Sequence, residues 1–230
     1  MTADTGPDAF IRDKSRWASL TLGCVLAGGL SRRMGGGEKS LMPLCGAPMI
    51  ARTVERLRPQ VGGMIVSANG DPARFAEFGL PVVADAVPGH AGPLAGVLAA
   101  MGWARAHSPK ARWVVTVAAD TPFYPDDLVV RLVGAAGHHE TMIAVARSGD
   151  KAHPVFGLWP VALADDLEAA LDAGERKVMG WVRRNPHVEV IFRGPVIDDI
   201  EIDPFFNVNT PEDMETAEAV AAELSGEMPA

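Results

Sequence analysis

Apolar positions along the chain fall into short blocks rather than one continuous period. Runs rich in β-branched residues and bounded by turn formers occupy residues 21–27, 64–68, 82–84, 113–118 and 142–146. Runs of this length without polar alternation predict strands buried on both faces. Helical spacing fills the intervals at 48–57, 72–78, 94–106 and 126–136, with Pro122 and Pro125 placed to open the last. Strand alternating with helix predicts an α/β fold: a mostly parallel sheet with helices on both faces, right-handed crossovers and a ligand site at the carboxyl ends of the strands. The second part is less regular. It predicts strands at 155–159 and 188–192, helices at 162–173 and 176–184, and a closing amphipathic helix at 211–224 with Thr210 as N-cap and Pro211 at the first helical position. No internal repeat and no Gly-, Ser- or Pro-rich linker divides the chain, so the expectation is a flexible leader over 1–19 and one domain over 20–230.

Composition narrows the function. The 230 residues carry 21 Lys plus Arg against 29 Asp plus Glu, a net charge of −8. An acidic chain with one tyrosine and no basic tract is a poor partner for nucleic acid. The longest apolar stretches, near 22–30 and 94–100, are about half the ~20 residues a membrane span needs. Cys24 and Cys45 lack metal-type spacing and read as two reduced thiols of a cytoplasmic protein. The 24 glycines and 18 prolines exceed the roughly 12 per cent that the two together average.

Five of those glycines, Gly28, Gly29, Gly35, Gly36 and Gly37, follow the first strand directly, interleaved with Arg32, Arg33 and Lys39 against the single acid Glu38. Glycines there let backbone N–H groups approach phosphate oxygens. Two known phosphate loops fail by spacing. Glu38 stands where a Walker loop needs glycine, and Ser40 or Arg33 stands where a dinucleotide fingerprint needs one.

The segment Leu26-Ala27-Gly28-Gly29, then Ser31-Arg32-Arg33-Met34-Gly35, then Lys39, resembles the opening of the nucleotidyltransferases that attach a nucleoside monophosphate to the molybdenum cofactor. Its guanylyl branch is the better fit, because the cytidylyl branch has alanine where Gly28 stands. The likeness runs over about residues 20–224 and implies a three-layer Rossmann-like nucleotidyltransferase fold with a mostly parallel central sheet. It implies GTP and molybdopterin as substrates, with cofactor insertion proteins and recipient molybdoenzymes as partners.

Residue by residue, the resemblance places Leu26, Ala27, Gly28, Gly29, Lys39, Ser67, Asn69, Asp85 and Asp120 around the nucleotide. Arg33, Lys39 and Asp120 are the expected catalytic set, and His153, Arg176, Lys177, Asn207 and Asn209 the expected molybdopterin side. Ser67 departs from the Asn that the guanylyl branch often carries there. Read from the residues alone, Asp120 before Thr121-Pro122 is either a helix cap or a ligand for a cation, and the resemblance selects Mg²⁺. His153 beside Pro154 and Asn209 before Thr210-Pro211 also have ordinary structural readings, and a solvated loop acid is the alternative for Asp85. A phosphate monoester is largely ionised near neutral pH, so such a reaction needs positioned charge rather than a general base. Cytidylyl transfer to the same cofactor, a sugar-phosphate nucleotidyltransferase of the same fold and a non-catalytic nucleotide or cofactor carrier stand as alternatives.

Overall fold

The computed structural model describes residues 14–28, 39–85, 92–137, 139–197 and 199–225. In chain order the strands of its first half are β1 (Thr21–Leu26), β2 (Pro43–Leu44), β3 (Ala47–Pro48), β4 (Gly63–Ser67), β5 (Val82–Val83) and β6 (Trp113–Ala118). Those of its second half are β7 (Ile143–Ser148), β8 (Lys151–Pro160), β9 (His187–Ile191), β10 (Val196–Ile197) and β11 (Ile200–Glu201). The helices are α1 (Lys14–Ser19), α2 (Met49–Leu57), α3 (Pro93–His107), α4 (Leu128–Ala136), α5 (Ala164–Asp172), α6 (Val178–Val182) and α7 (Pro211–Ser225).

Seven strands form one sheet in the order β5-β4-β1-β6-β8-β7-β9. All pairs are parallel except those that β8 makes with β6 and β7. Successive residues of β1 serve opposite faces, as strand geometry requires. Val25 joins a core with Ile50, Val54 and Leu57 of α2 and Leu128 and Leu132 of α4, while Leu22 and Cys24 join one with Leu94 and Met101 of α3, Leu167 of α5 and Trp181 of α6. The three layers expected of the chain are therefore present, and the five strands expected at 21–27, 64–68, 82–84, 113–118 and 142–146 stand within two residues of those bounds.

Several expectations need correction. Residues 14–19 of the expected leader form α1, whose Trp17 is 5% exposed and stacks obliquely on Trp113 at 5.9 Å. A buried indole outweighs the polar residues around it. The helix expected at 72–78 is a 3₁₀ segment, opened by Asp71, which accepts from the Ala73 N–H, and closed by Gly79 at φ 61°. Only Phe75 of that segment is buried, so no apolar stripe supports an α-helix. The helix expected at 176–184 shortens to α6 because the Glu175 carboxylate accepts from the N–H groups of Arg176 and Lys177 and holds those residues in a turn, with Lys177 extended at ψ 119°, ahead of the first helical residue Val178.

β8 begins four residues before its expected start. Register slips across Pro154–Phe156 between the pairs Val145↔Gly157 and Ala146↔His153, and Pro154, which cannot donate to the ladder, marks that bulge. The closing helix α7 is capped as expected, Thr210 Oγ1 accepting from Asp213 N at 3.1 Å and Asp213 returning the contact to Thr210 N at 2.9 Å. It packs through Ala217, Val220 and Ala221 on Leu44, Met49 and Phe123. The hairpin turn between β2 and β3 places Cys45 and Gly46 at positive φ, 49° and 81°.

Candidate active site

β1 lies between β4 and β6, so the chain's crossovers diverge on either side of it and open a crevice at the carboxyl ends of these strands. Ala27 N donates to Ser67 O at 2.9 Å, Ala68 N to Val83 O at 3.0 Å and Ala119 N to Leu26 O at 3.1 Å, which carries the sheet to the crevice floor. Asn69, Asp85 and Asp120 stand just beyond β4, β5 and β6, and the expected phosphate loop leaves β1 at the same edge. Gly29 and Arg33 of that loop lie outside the described residues; Gly28 is exposed at its start.

Lys39 opens the short 3₁₀ turn Lys39–Leu41 on the far side of the loop. Its Nζ donates to Asp120 Oδ2 at 2.7 Å and to Asn209 Oδ1 at 2.5 Å. Three residues separated by 81 and 170 positions thus meet at one point. The ion pair is half-buried, with side-chain exposures of 13% for Lys39 and 27% for Asp120, so charge-assisted bonds there outweigh those of an exposed pair. The segment before α7 is laced to the same strand end, Val208 N donating to Asp120 O at 3.0 Å and Thr121 Oγ1 to Asn207 Oδ1. Thr121 had no assigned role in the sequence, yet its hydroxyl is what fixes Asn207. Asp120 does not cap a helix; α4 begins only at Leu128.

A second pair lines the other side of the crevice. Asn69 Nδ2 donates to Asp85 Oδ2 at 2.7 Å and Asp85 N donates to Asn69 Oδ1 at 3.0 Å, so the two side chains hold each other. Arg74 Nη2 donates to the Asn69 carbonyl at 2.5 Å, tying the base of this pair to the 3₁₀ segment. Ser67 is 2% exposed and does not present its hydroxyl to the crevice. It lies under α3, where a Cβ on Gly96 would stand 2.9 Å from Ser67 Oγ and 2.8 Å from Leu26 Cδ2. Glycine lets the first turn of α3 approach β1 and β4 this closely without displacing either side chain. Gly92 precedes Pro93 at φ 75° and has no side-chain cap, so the positive end of α3 faces the crevice edge.

The carbonyl of Arg176 lies 3.7 Å from where a Gly92 Cβ would stand, which brings the Glu175–Lys177 turn beside that helix end. The Arg176 guanidinium is occupied, donating to Leu171 O and Glu175 O, both at 2.7 Å. Lys177 is exposed, and its ammonium has no hydrogen bond or ion pair among the described residues. The bonds from the backbone of Lys177 and Arg176, with Arg184 nearby, hold the Glu175 carboxyl below the usual carboxylate range. His153, 8% exposed, does not reach Lys39 or Asp120; it bonds Ser148 Oγ through Nε2 at 2.7 Å and packs on Phe205. No cluster of three or more His, Cys, Asp or Glu among the described residues could by itself hold a metal. Asp120 and Asn209 instead offer hard oxygen donors at one point, a set that suits Mg²⁺ when substrate phosphates supply the remainder. No helix among the described residues is long and apolar enough to cross a membrane.

Known proteins resemble this chain in sequence and fold. The family model described as MobA-like NTP transferase domain matches residues 23–188. A molybdenum cofactor guanylyltransferase of Rhodopseudomonas palustris (strain BisB5) is 52% identical over 198 residues, which are 86% of this chain and 92% of that protein. One from Bradyrhizobium sp. (strain ORS 278) is 49% identical over 201 residues, 87% of this chain and 92% of that protein. Among solved structures, the molybdopterin-guanine dinucleotide biosynthesis protein A of Archaeoglobus fulgidus aligns with TM-score 0.66 at 24% identity, covering 88% of this chain and 99% of that one. A manganese complex of a Mycobacterium tuberculosis protein aligns with TM-score 0.60 at 22% identity over 87% and 98% of the two chains. These two structures share the fold, and the match over most of the chain at about half identity assigns the lineage: the chain belongs to the MobA-like NTP transferase family.

Proposed function

We propose that this protein transfers GMP from GTP to the terminal phosphate of molybdopterin carrying molybdenum, forming the guanine dinucleotide form of the cofactor. An oxygen of that phosphate attacks the α-phosphorus of GTP, a new phosphoanhydride bond forms, and the bond to the β-phosphate breaks to release pyrophosphate. The observation that carries this reading is the meeting of Lys39, Asp120 and Asn209 at one point, in a chain half identical to guanylyltransferases.

The attacking phosphate is ionised near neutral pH, its second pKa being about 6, so no residue has to remove a proton. The protein's task is to hold two polyanions in line and to offset the charge that builds on the α-phosphate and the leaving pyrophosphate. Lys39 supplies a positive charge next to the crevice floor, and Arg33 with the backbone of residues 28–34 supplies the rest of the triphosphate cradle. Asp120, with the Asn209 oxygen beside it, would hold Mg²⁺, which when bound would supply further countercharge for the phosphates. Asp85, held by Asn69, borders the nucleotide, with Leu26, Ala27 and Gly28 beneath it and Ser67 under α3; Gly29, outside the described residues, is assigned to the same nucleotide contact by its motif. Lys177, Asn207 and Asn209 face the molybdopterin side, with Arg176 bracing the turn that carries Lys177. The product passes in the cytoplasm to cofactor insertion proteins and recipient molybdoenzymes.

The test is Asp120→Ala assayed with GTP, Mg²⁺ and molybdenum cofactor. The expected result is loss of at least about 100-fold in kcat with unchanged circular dichroism. A folded variant with wild-type turnover overturns the assignment.

A further inference from the structure

Ser148, His153 and Asp203 form a hydrogen-bonded cluster at the β7–β8 hairpin, apart from the Lys39–Asp120 pair. Ser148 Oγ lies 2.7 Å from His153 Nε2 and 2.9 Å from Asp203 Oδ1, whereas His153 Nε2 and Asp203 Oδ1 are 3.9 Å apart. The serine is therefore the bridge. A hydroxyl has one proton, and a carboxylate only accepts, so that proton goes to Asp203 and His153 Nε2 must donate to Ser148 Oγ. This order is the reverse of a hydrolytic Ser-His-Asp triad, in which the imidazole accepts from the serine. The cluster holds a structure in place rather than activating a nucleophile.

What it holds is the segment that runs into the site. Asp203 Oδ1 also accepts from Phe205 N at 2.9 Å, which directs the backbone inward. Phe205, 2% exposed, is then enclosed by His153 at 4.6 Å, Phe156 at 4.8 Å and Phe192 at 5.7 Å between ring centroids. Two residues on, Asn207 accepts from Thr121, Val208 donates to the Asp120 carbonyl, and Asn209 accepts from Lys39. Residues 203–209 are thus a strap fixed at one end by Asp203 and delivering two asparagines at the other.

We infer that Ser148 and Asp203 are positioning residues, Ser148 tying Asp203 to His153, that set where Asn207 and Asn209 stand, and so the alignment of the acceptor phosphate. The kinetic part of this inference rests on the proposed GMP transfer; the structural part does not. The experiment compares Ser148→Ala, which removes the bridge, with Ser148→Thr, which keeps the hydroxyl. In the full chain, the side-chain amide NMR signals of Asn207 and Asn209 shift in Ser148→Ala, those of Asn69 stay, and Ser148→Thr restores the wild-type positions. Unmoved Asn207 and Asn209 signals in Ser148→Ala overturn the anchor. In steady-state kinetics Ser148→Ala raises KM for the molybdenum cofactor about tenfold, in line with loss of a bond to a charged group, and raises KM for GTP less, through the bond of Asn209 to Lys39. Equal rises in both KM values overturn the acceptor-side role. A wild-type protein with no GMP transfer at all refutes the functional reading alone, because the NMR shifts decide the anchor separately.

Discussion

Asp120 shows how a single residue acquires its partners from where a strand ends. β6 is buried through Val117, and a carboxylate one residue past Ala119 needs a partner or water to offset its desolvation. Lys39 and the nearby amide oxygen of Asn209 meet that need. The sequence showed Lys39 and Asp120 as candidates because each sits in a dense local motif. It did not show that they touch, since 81 residues separate them. Arg176 shows the converse: a cation next to a substrate-side motif that the fold spends on two carbonyls, leaving Lys177 exposed. Lys39→Met is therefore expected to lower kcat about 100-fold or more, with Arg at 39 recovering part of it; equal activity of Met and Lys at 39 contradicts the electrostatic role. The cysteines give a second residue-level prediction. Burial pushes the Cys24 thiol up to about 12, and Cys45 is exposed in its turn. A thiol reagent at pH 8 should label Cys45 rapidly and Cys24 only after denaturant is added; two fast thiols in the native protein contradict the packing of β1.

At the scale of elements, β6 and the core of β1 were legible because a buried parallel strand is a short, wholly apolar run bounded by turns. β8 was legible only in its second half. Its antiparallel direction and bulge depend on pairing with both β6 and β7, which no local pattern encodes. α1 was hidden because one tryptophan, rather than a stripe, does the anchoring. α3 depends on Gly96, whose spacing after Gly92-Pro93 was visible while its reason, contact with Leu26 and Ser67, was not. Gly96→Ala forces those side chains aside and should cost about 1–3 kcal/mol in urea unfolding, with weaker GTP binding. Unchanged stability and affinity contradict the close approach of α3 to the crevice floor.

For the whole molecule, a net charge of −8 is compatible with the proposed polyanionic substrates because Arg32, Arg33 and Lys39 fall within one glycine-rich stretch of sequence and Arg176 and Lys177 within one turn. Stability should depend on pH through His153. Burial lowers its pKa, more than the Asp203 carboxylate raises it, and Lys151 adds to the lowering. The unfolded imidazole, near 6.5, therefore takes up its proton at higher pH than the folded one. The stabilisation is complete above that value and is lost as pH falls below it. Wild type should lose melting temperature between pH 7.5 and 5.5 more steeply than His153→Gln; parallel curves contradict the buried state of the ring.

The central claim is guanylyl transfer to the molybdenum cofactor, and one measurement meets it directly: pyrophosphate release by the purified protein with Mg²⁺ and molybdenum cofactor, comparing GTP with CTP. The account predicts release with GTP, dependent on the cofactor and accompanied by the guanine dinucleotide product. Release with CTP in preference to GTP, or GTP binding without pyrophosphate release, would contradict it.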